Sequence, residues 1–154
     1  MKVDLFDYLD QTLKMIKTGT GVLLVSIDSY GCPNVMTIGL LLLGHWGNPI
    51  AVVAVRPATY TSKLLEEVEE FVIAVPTPEL KEAVAFCGEK SGRDTDKFRE
   101  TGLTPITSVH VKPPSIKECM VNIECRIYDK ISGNSPLSKQ HTIYFAEVLG
   151  VYKY

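Results

Sequence analysis

Several features that would place a protein in a familiar class are missing from this sequence. Its 16 basic and 18 acidic residues give a formal net charge of −2 at pH 7, so it lacks the basic field that nucleic-acid binding requires. The longest apolar stretch, Ile38 to Leu43, is interrupted by Gly39 and falls well short of the roughly 20 residues of a membrane helix. The opening residues, MKVDLFDYLD, carry acids where a signal peptide has its apolar centre. We therefore expect a cytoplasmic protein with no nucleic-acid partner and no membrane span.

Cysteine and histidine spacing excludes two further classes. The sequence contains neither a CxxC pair nor a Cys/His set with zinc spacing among its cysteines and histidines, which are Cys32, Cys87, Cys119, Cys125, His45, His110 and His141. Cys119 and Cys125 are six positions apart in an extended stretch, which places them about 20 Å apart along a strand. We therefore expect free thiols and no metal site.

The chain has the length of one domain, and we interpret residues 1–154 as a single domain. No Gly-x-Gly-x-x-Gly turn follows any predicted strand, so a separate dinucleotide-binding unit is excluded. Apolar residues make up 45% of the chain, and the mean hydropathy is +0.10. This surplus of apolar side chains predicts that some surface is buried against a partner subunit.

Hydrophobic periodicity predicts a mixed architecture. Helical spacing indicates helices at Leu5–Ile16, about Thr61–Glu69, Pro78–Cys87 and Asp96–Glu100. Apolar or alternating runs predict strands at Gly21–Asp28, Val35–Leu43, Ile50–Val55, Phe71–Val75, Met120–Ile127 and His141–Val151. The first three strands favour an antiparallel meander, and we expect Gly88 to end the Pro78–Cys87 helix.

Alternation in Met120–Ile127 places Asn122, Glu124 and Arg126 on one face, which predicts a half-exposed strand. Gly133–Pro136 is read as a longer loop before the last strand. Together these elements favour an α+β domain whose antiparallel sheet of six or seven strands closes as a small Greek-key-like barrel with inserted short helices.

The stretch Ala51–Glu70 carries the first candidate site. A strand ends at Arg56-Pro57, and Thr59, Thr61 and Ser62 bring hydroxyls and first-turn N–H groups to the start of a helix. Arginine and a helix N-terminus both suit phosphate oxygens. The same residues also suit an ordinary strand-turn-helix junction with a threonine N-cap. A second polar loop, Gly88–Asp94, contains Ser91-Gly92-Arg93.

Five segments carry a family resemblance over nearly the whole chain. They are NVMTIG from Asn34, VRPATYTSKLL from Val55, FVIAVPT from Phe71, CGEKSGRDTDKFRETGLTP from Cys87 and CMVNIECRI from Cys119. In this order and spacing they resemble the flavin reductase-like FMN-binding split-barrel family, which includes flavoredoxins and short-chain flavin reductases. The pair formed by RPxxYT and SGRDxDKF is the most specific part.

The resemblance implies a homodimer of split β-barrels, with one FMN per subunit at or near the interface. It implies contacts with the isoalloxazine from Asn34, Met36, Thr37 and Ile38, and contacts with the phosphate and ribityl end from Arg56, Thr59, Tyr60, Thr61 and Ser62. It implies a second wall of Cys87, Gly88, Ser91, Gly92 and Lys97. Lys97 also fits a solvated helix face, and Cys87 also fits a small apolar filler. Many members carry a Trp soon after NxMT, whereas this chain has Leu40–Leu43 there and Trp46 later.

Two functions follow from the resemblance, and no catalytic side chain is assigned in either. The first is an FMN-dependent NAD(P)H oxidoreductase of the flavin reductase type, with NADH or NADPH as co-substrate and hydride passing through FMN to an acceptor. The second is a flavoredoxin-like electron carrier or FMN-binding protein reduced by a redox protein partner.

Overall fold

The computed structural model describes residues 1–132 and 141–154. Within them the helices are α1 (Leu9–Lys17, preceded by a 3-10 turn at Leu5–Tyr8), α2 (Tyr60–Glu67), α3 (Lys81–Glu89, preceded by a 3-10 turn at Pro78–Leu80) and α4 (Lys97–Thr101). The strands are β1 (Val22–Ile27), β2 (Pro33–Ile38), β3 (Leu41–Trp46), β4 (Asn48–Val55), β5 (Glu70–Val75), β6 (Pro105–Ile106), β7 (Ser115–Ile116), β8 (Val121–Ile131) and β9 (Thr142–Tyr152). The predicted Gly133–Pro136 loop lies outside the described residues.

In the described part of the chain, seven strands form one antiparallel sheet in the order β2-β1-β5-β8-β9-β4-β3. The strands β2 and β3 stand at opposite ends of this order, yet only Gly39 and Leu40 separate them in the sequence. The chain can take that step only if the sheet curls until its two ends meet. The fold is therefore a small antiparallel barrel with short helices, which confirms the predicted α+β class.

The predicted single strand Val35–Leu43 is wrong, because it is two strands with different partners. Its first half pairs with β1, where Val35 lies opposite Val25, and its second half pairs with β4, where Leu41 lies opposite Val53. The predicted meander of the first three strands is therefore also wrong. The apolar character on both sides of Gly39 does not reveal a change of partner, since Ile38 and Leu41 both pack in the barrel core.

Two apolar cores flank β1. Val22 and Leu24 point into the barrel, whereas Leu23 and Val25 pack against the layer formed by α3, α4 and the 103–119 segment. Because both faces are covered, β1 is buried along its whole length and shows no alternation.

Gly88 was expected to end α3, but it lies inside that helix, which continues to Glu89. A Cβ atom at Gly88 would come within 3.3 Å of the Thr37 Cβ on β2. Thr37 also donates a hydrogen bond from its hydroxyl to the carbonyl of Val84 on α3. Glycine at this position therefore permits close packing of α3 on β2, and the prediction of a C-terminal stop was wrong.

The face of β8 that was predicted to be exposed is buried at Asn122 and Glu124. The Asn122 amide accepts from the Ile116 N–H at 2.8 Å and donates to the Ile116 carbonyl at 3.0 Å. The Glu124 carboxylate accepts from the Val109 N–H at 2.8 Å and the His110 N–H at 2.7 Å. A covering segment, residues 104–118, thus hides this face, and the half-exposed prediction holds only from Arg126 onward.

Other predictions are confirmed. The N-terminal helix, the buried strand at Phe71–Val75 and the short helix after Asp96 all form, with the Asp96 carboxylate capping α4 by accepting from the Arg99 N–H at 3.2 Å. All four cysteines are free thiols. Among the described helices, none has both the length and the apolar character needed to cross a membrane.

We predict that Glu124→Ala lowers the free energy of unfolding by about 3 kcal/mol, because the N–H groups of Val109 and His110 lose a buried, charged acceptor. Urea unfolding followed by far-UV circular dichroism measures the change. Glu147→Ala on the neighbouring strand is the matched control, since Glu147 is exposed and its loss should cost less than about 0.5 kcal/mol. Equal destabilisation by the two variants would contradict the assigned role of Glu124.

Candidate functional site

A cleft of about 280 Å³ lies where β2, the start of α2 and the loop after α3 come together. It is lined by Asn34, Met36, Ala58, Thr59, Tyr60, Thr61, Gly88, Glu89, Lys90, Ser91, Gly92, Arg93 and Lys97. In the described sheet β2 is an edge strand paired only with β1, so part of its backbone N–H and C=O groups face outward. The cleft therefore combines an open strand edge with a helix start and a polar loop.

The start of α2 is arranged by Thr59. Its hydroxyl accepts from the Ser62 N–H at 3.1 Å and donates to the Arg56 carbonyl at 2.8 Å. The N–H groups of Tyr60 and Thr61 belong to the first helical turn and have no intrahelical acceptor. Both residues line the cleft, so the N-terminal end of α2 offers hydrogen-bond donors and a positive dipole end to it.

Asn34 and Gly92 lie in close contact in the wall of the cleft. The Asn34 amide donates to the Thr61 hydroxyl at 3.1 Å, which ties β2 to α2. A Cβ atom at Gly92 would collide with the Asn34 amide and come within 2.8 Å of the Tyr60 ring. Glycine is therefore required for the 90–95 loop to approach this closely.

Three cationic residues, Lys90, Arg93 and Lys97, line the cleft, and the last two are held in different ways. Lys97 is 4% exposed, and its ammonium donates to the Cys87 carbonyl at 2.8 Å. Burial lowers the pKa of Lys97, with the nearby Cys87 opposing that shift. Arg93 is exposed, donates from Nη1 to the Ala58 carbonyl at 3.2 Å and lies 5.6 Å above the centre of the Tyr60 ring.

Tyr60 also lines the cleft. Its pKa is raised by burial and by the acidic neighbours Asp28 and Glu67, while Arg93 opposes the shift. The phenol is therefore neutral at physiological pH and can donate a hydrogen bond.

The cleft brings together most of the side chains that sequence reasoning assigned to the site. These are Asn34, Met36, Thr59, Tyr60, Thr61, Gly88, Ser91, Gly92 and Lys97. Five others lie outside its lining, and their proposed roles stay predictions: Thr37, Ile38, Arg56, Ser62 and Cys87.

Those five are placed as follows. The Ile38 side chain packs in the barrel core, and Thr37 holds α3 through Val84. Ser62 is buried, with its hydroxyl 3.5 Å from that of Tyr144. Cys87 is fully buried and presents its carbonyl to Lys97, and burial raises the pKa of its thiol to about 11, so it is not a reactive thiolate. The Arg56 side chain is exposed, and its carbonyl accepts from Thr59.

A family model described as the flavin reductase like domain matches residues 15–153. The chain belongs to this family. The split-barrel fold is shared with a putative flavin reductase with split barrel domain from Shewanella frigidimarina NCIMB 400, which has a TM-score of 0.78 at 16% identity over 99% of this chain and 75% of that chain. It is also shared with the flavoredoxin of Desulfovibrio vulgaris (Miyazaki F), with a TM-score of 0.77 at 28% identity over 86% of this chain and 68% of that one.

Curated relatives of this flavin reductase-like domain include uncharacterized proteins from two archaea. One, from Archaeoglobus fulgidus, is 38% identical over 119 residues, which is 77% of this chain and 64% of the relative. Another, from Pyrococcus abyssi, is 41% identical over 98 residues, which is 63% of this chain and 52% of the relative. The match thus spans between half and two-thirds of these relatives' length.

Four lining residues were not among the predicted ligands of this flavin reductase-like domain: Ala58, Glu89, Lys90 and Arg93. Arg93 had a visible signal, because it follows the Ser91-Gly92 pair in a loop already marked as polar. The others were not detectable, since nothing in their residue types indicates which way an exposed loop turns.

We predict that Lys97→Met raises the free energy of unfolding of the unliganded protein by about 1 kcal/mol at pH 7, because an apolar side chain replaces a buried ammonium. The salt bridges found among the described residues are Arg126–Glu70 and Lys130–Glu66, so Lys97 has no carboxylate partner there.

The pH dependence follows from the lowered pKa in the folded state. The charged form of Lys97 costs stability below that pKa, and the cost fades as the pH rises toward the ordinary lysine value of about 10.4. The advantage of Lys97→Met should therefore shrink between pH 7 and about pH 9.5 in urea unfolding. Lys90→Met, on the same cleft but exposed, is the control. If Lys97→Met changed the free energy of unfolding by the same amount at both pH values, this account of Lys97 would be contradicted.

Proposed function

We propose that this domain binds FMN in the cleft and acts as an NAD(P)H-dependent oxidoreductase of the flavin reductase type. The observation that carries the proposal is the donor set of the cleft in a chain of this family: three cations, a helix N-terminus and an open strand edge around one small cavity. Solved relatives add support, since one from Shewanella baltica OS155 is described as an FMN-binding domain of flavin reductases-like enzyme, at 24% identity and a TM-score of 0.75.

The residues of the cleft fit FMN at its charged end. A phosphate monoester carries about two negative charges at neutral pH and needs cations and N–H donors. Lys97, the Tyr60 and Thr61 N–H groups and the Ser91-Gly92 loop supply them.

The residues also fit FMN at its ring. Asn34 and Met36 of β2 line the cleft, and the free edge of this strand can hydrogen-bond the polar edge of an isoalloxazine, as an edge strand pairs with an added partner. Gly92 lets the 90–95 loop approach Asn34 so closely that a Cβ atom would overlap the Asn34 side chain, which keeps this wall of the cleft compact. Bound FMN would supply the redox chemistry, accepting hydride and passing electrons on. The protein's part is to hold the ring against β2 and neutralise the phosphate.

A second function is favoured by the similarity to the Desulfovibrio vulgaris flavoredoxin at 28% identity. In that case the domain receives electrons from a redox protein partner. The two functions differ in one physical property, which is whether a nicotinamide can stack directly on the exposed ring face. No separate dinucleotide-binding motif exists in the sequence, so a nicotinamide would have to dock there.

The domain is further proposed to form a homodimer through the outer face of β3, β4 and β9. Leu40 and Leu42 on this face are 55% and 71% exposed. Leu42 lies opposite Val52, which in turn lies opposite Phe145, so apolar side chains continue across three strands. An apolar groove of about 430 Å³ follows the same face. Apolar surface of this extent is typical of subunit contacts.

The first prediction from this proposed function is that the purified protein binds FMN. Gly92→Ala should weaken this binding at least tenfold, because the added methyl group displaces Asn34 or Tyr60. Mass spectrometry identifies the released cofactor, and quenching of flavin fluorescence measures the affinity. Gly44→Ala is the matched control, since a Cβ there meets only the Ile50 side chain at 3.9 Å. A protein that neither contains nor binds FMN would remove the proposed function.

The second prediction is that NADH or NADPH reduces the bound flavin without a further protein. Anaerobic rapid mixing should bleach the flavin absorbance near 450 nm. The expected time is on the order of a second or less, as for ordinary enzyme turnover. A flavin that resists both nucleotides but bleaches with dithionite would instead support the electron-carrier function.

The third prediction is that light scattering gives twice the monomer mass of 17.1 kDa. Leu42→Glu should shift the protein toward the monomer, because it places a charge in the centre of the apolar face. Leu13→Glu on α1 is the control, since Leu13 is 50% exposed but lies on a different surface. A monomeric unmodified protein, or equal effects of the two variants, would contradict the proposed interface.

A further inference from the structure

Two arginines, Arg56 and Arg93, lie near the proposed phosphate end, but only the Arg93 side chain lines the cleft. The Arg56 side chain is exposed and lies outside the cleft lining, while its backbone carbonyl is engaged by Thr59. The Arg93 side chain lines the cleft and reaches over it to the Ala58 carbonyl. The family resemblance had assigned Arg56 to the phosphate and ribityl end.

We propose that Arg93, and not Arg56, binds the terminal phosphate of the flavin and makes the cleft selective for a mononucleotide over a dinucleotide. This inference rests on the proposed function and assigns a specificity-determining residue to it.

The loop that carries Arg93 is ordered by its own hydrogen bonds. The Ser91 hydroxyl accepts from the Arg93 N–H at 3.2 Å, and the Ser91 carbonyl accepts from the Asp94 N–H at 3.2 Å. Gly92 holds the same loop against Asn34 and Tyr60. Arg93 is therefore placed before any ligand arrives, which reduces the entropy lost on binding.

The Arg93 guanidinium has N–H donors that its contact with Ala58 does not use. An arginine side chain carries five N–H donors in a planar fork, and the contact with Ala58 uses one nitrogen, Nη1. The remaining donors can face phosphate oxygens beside the α2 N-terminus, whose first-turn N–H groups line the same cleft. The Tyr60 ring beneath the guanidinium further limits its motion.

The contact between Arg93 and Ala58 also limits the size of the ligand. It joins the 90–95 loop to the turn before α2, and both partners line the cleft next to the α2 N-terminus, where the phosphate is proposed to sit. A monophosphate ends there. A dinucleotide carries a second phosphate and an adenosine, which would have to pass through this bridge and break it. FAD should therefore bind more weakly than FMN.

The test measures dissociation constants of riboflavin, FMN and FAD by fluorescence quenching for the unmodified protein, Arg93→Ala, Arg93→Lys and Arg56→Ala. Arg99→Ala is the control, because Arg99 is an exposed arginine on α4 outside the cleft lining. Circular dichroism and the unfolding midpoint verify that each variant is folded.

We expect Arg93→Ala to weaken FMN binding by about 10- to 100-fold, the loss of charge-assisted hydrogen bonds, and riboflavin binding by less than about threefold. The preference for FMN over FAD should fall by a similar factor. Arg93→Lys should restore part of the FMN affinity, since it keeps the charge but loses the planar fork. Arg56→Ala and Arg99→Ala should leave both ratios unchanged.

Three outcomes overturn the inference. Equal losses for riboflavin and FMN in Arg93→Ala would make Arg93 a structural bridge. A loss confined to phosphorylated flavins in Arg56→Ala, with none in Arg93→Ala, would return the role to Arg56. In both cases the unmodified protein still binds flavin, so the proposed function stands. An unmodified protein that binds neither riboflavin nor FMN would remove the proposed function, and the inference with it.

Discussion

The step from β2 to β3 over Gly39 and Leu40 is the constraint on which the rest of this structure depends. It carries the chain from one end of the hydrogen-bonded order to the other, so the sheet has to close. Closure leaves β2 paired on one side only, and α3 packs over it through the Gly88–Thr37 contact. The open edge of β2, the start of α2 and the loop after α3 then meet at one place. The cleft is a direct result of how the barrel closes.

Two kinds of element form that cleft. A strand and a helix fix the position of its wall, whereas a loop and the buried Lys97 side chain supply its charge. Asn34 and Thr61 are joined by a hydrogen bond between a strand and a helix, which fixes the wall of the cleft. Lys97 is held in an unfavourable environment, where burial works against its charge. A protein retains such a group at the expense of stability when it binds an anion there, because the bound anion compensates the ammonium. The phosphate of the proposed FMN ligand would supply that compensating charge.

Sequence reasoning succeeded where one local signal determines the structure. Apolar runs bounded by Gly or Pro located the buried strands, and the threonine cluster and Asp96 located two helix starts, where Thr59 and Asp96 cap the helices in the structure. It failed where partners distant in the chain decide. The buried state of Glu124 depends on the 104–118 segment, whose strands β6 and β7 are two residues each and carry no periodicity. Likewise, which of Arg56 and Arg93 turns toward the cleft depends on loop geometry that residue type does not indicate.

The way the 104–118 segment is attached has a consequence for native-state dynamics. It is fastened to β8 by the side chains of Asn122 and Glu124, whereas the barrel strands are joined by continuous backbone ladders. The segment also buries Val111 and Ile116 in the second core, so its opening uncovers apolar surface as well as breaking these side-chain hydrogen bonds. We expect it to open as a unit at a free-energy cost below that of global unfolding, so its amide hydrogens should exchange with solvent ahead of those in β5 and β8.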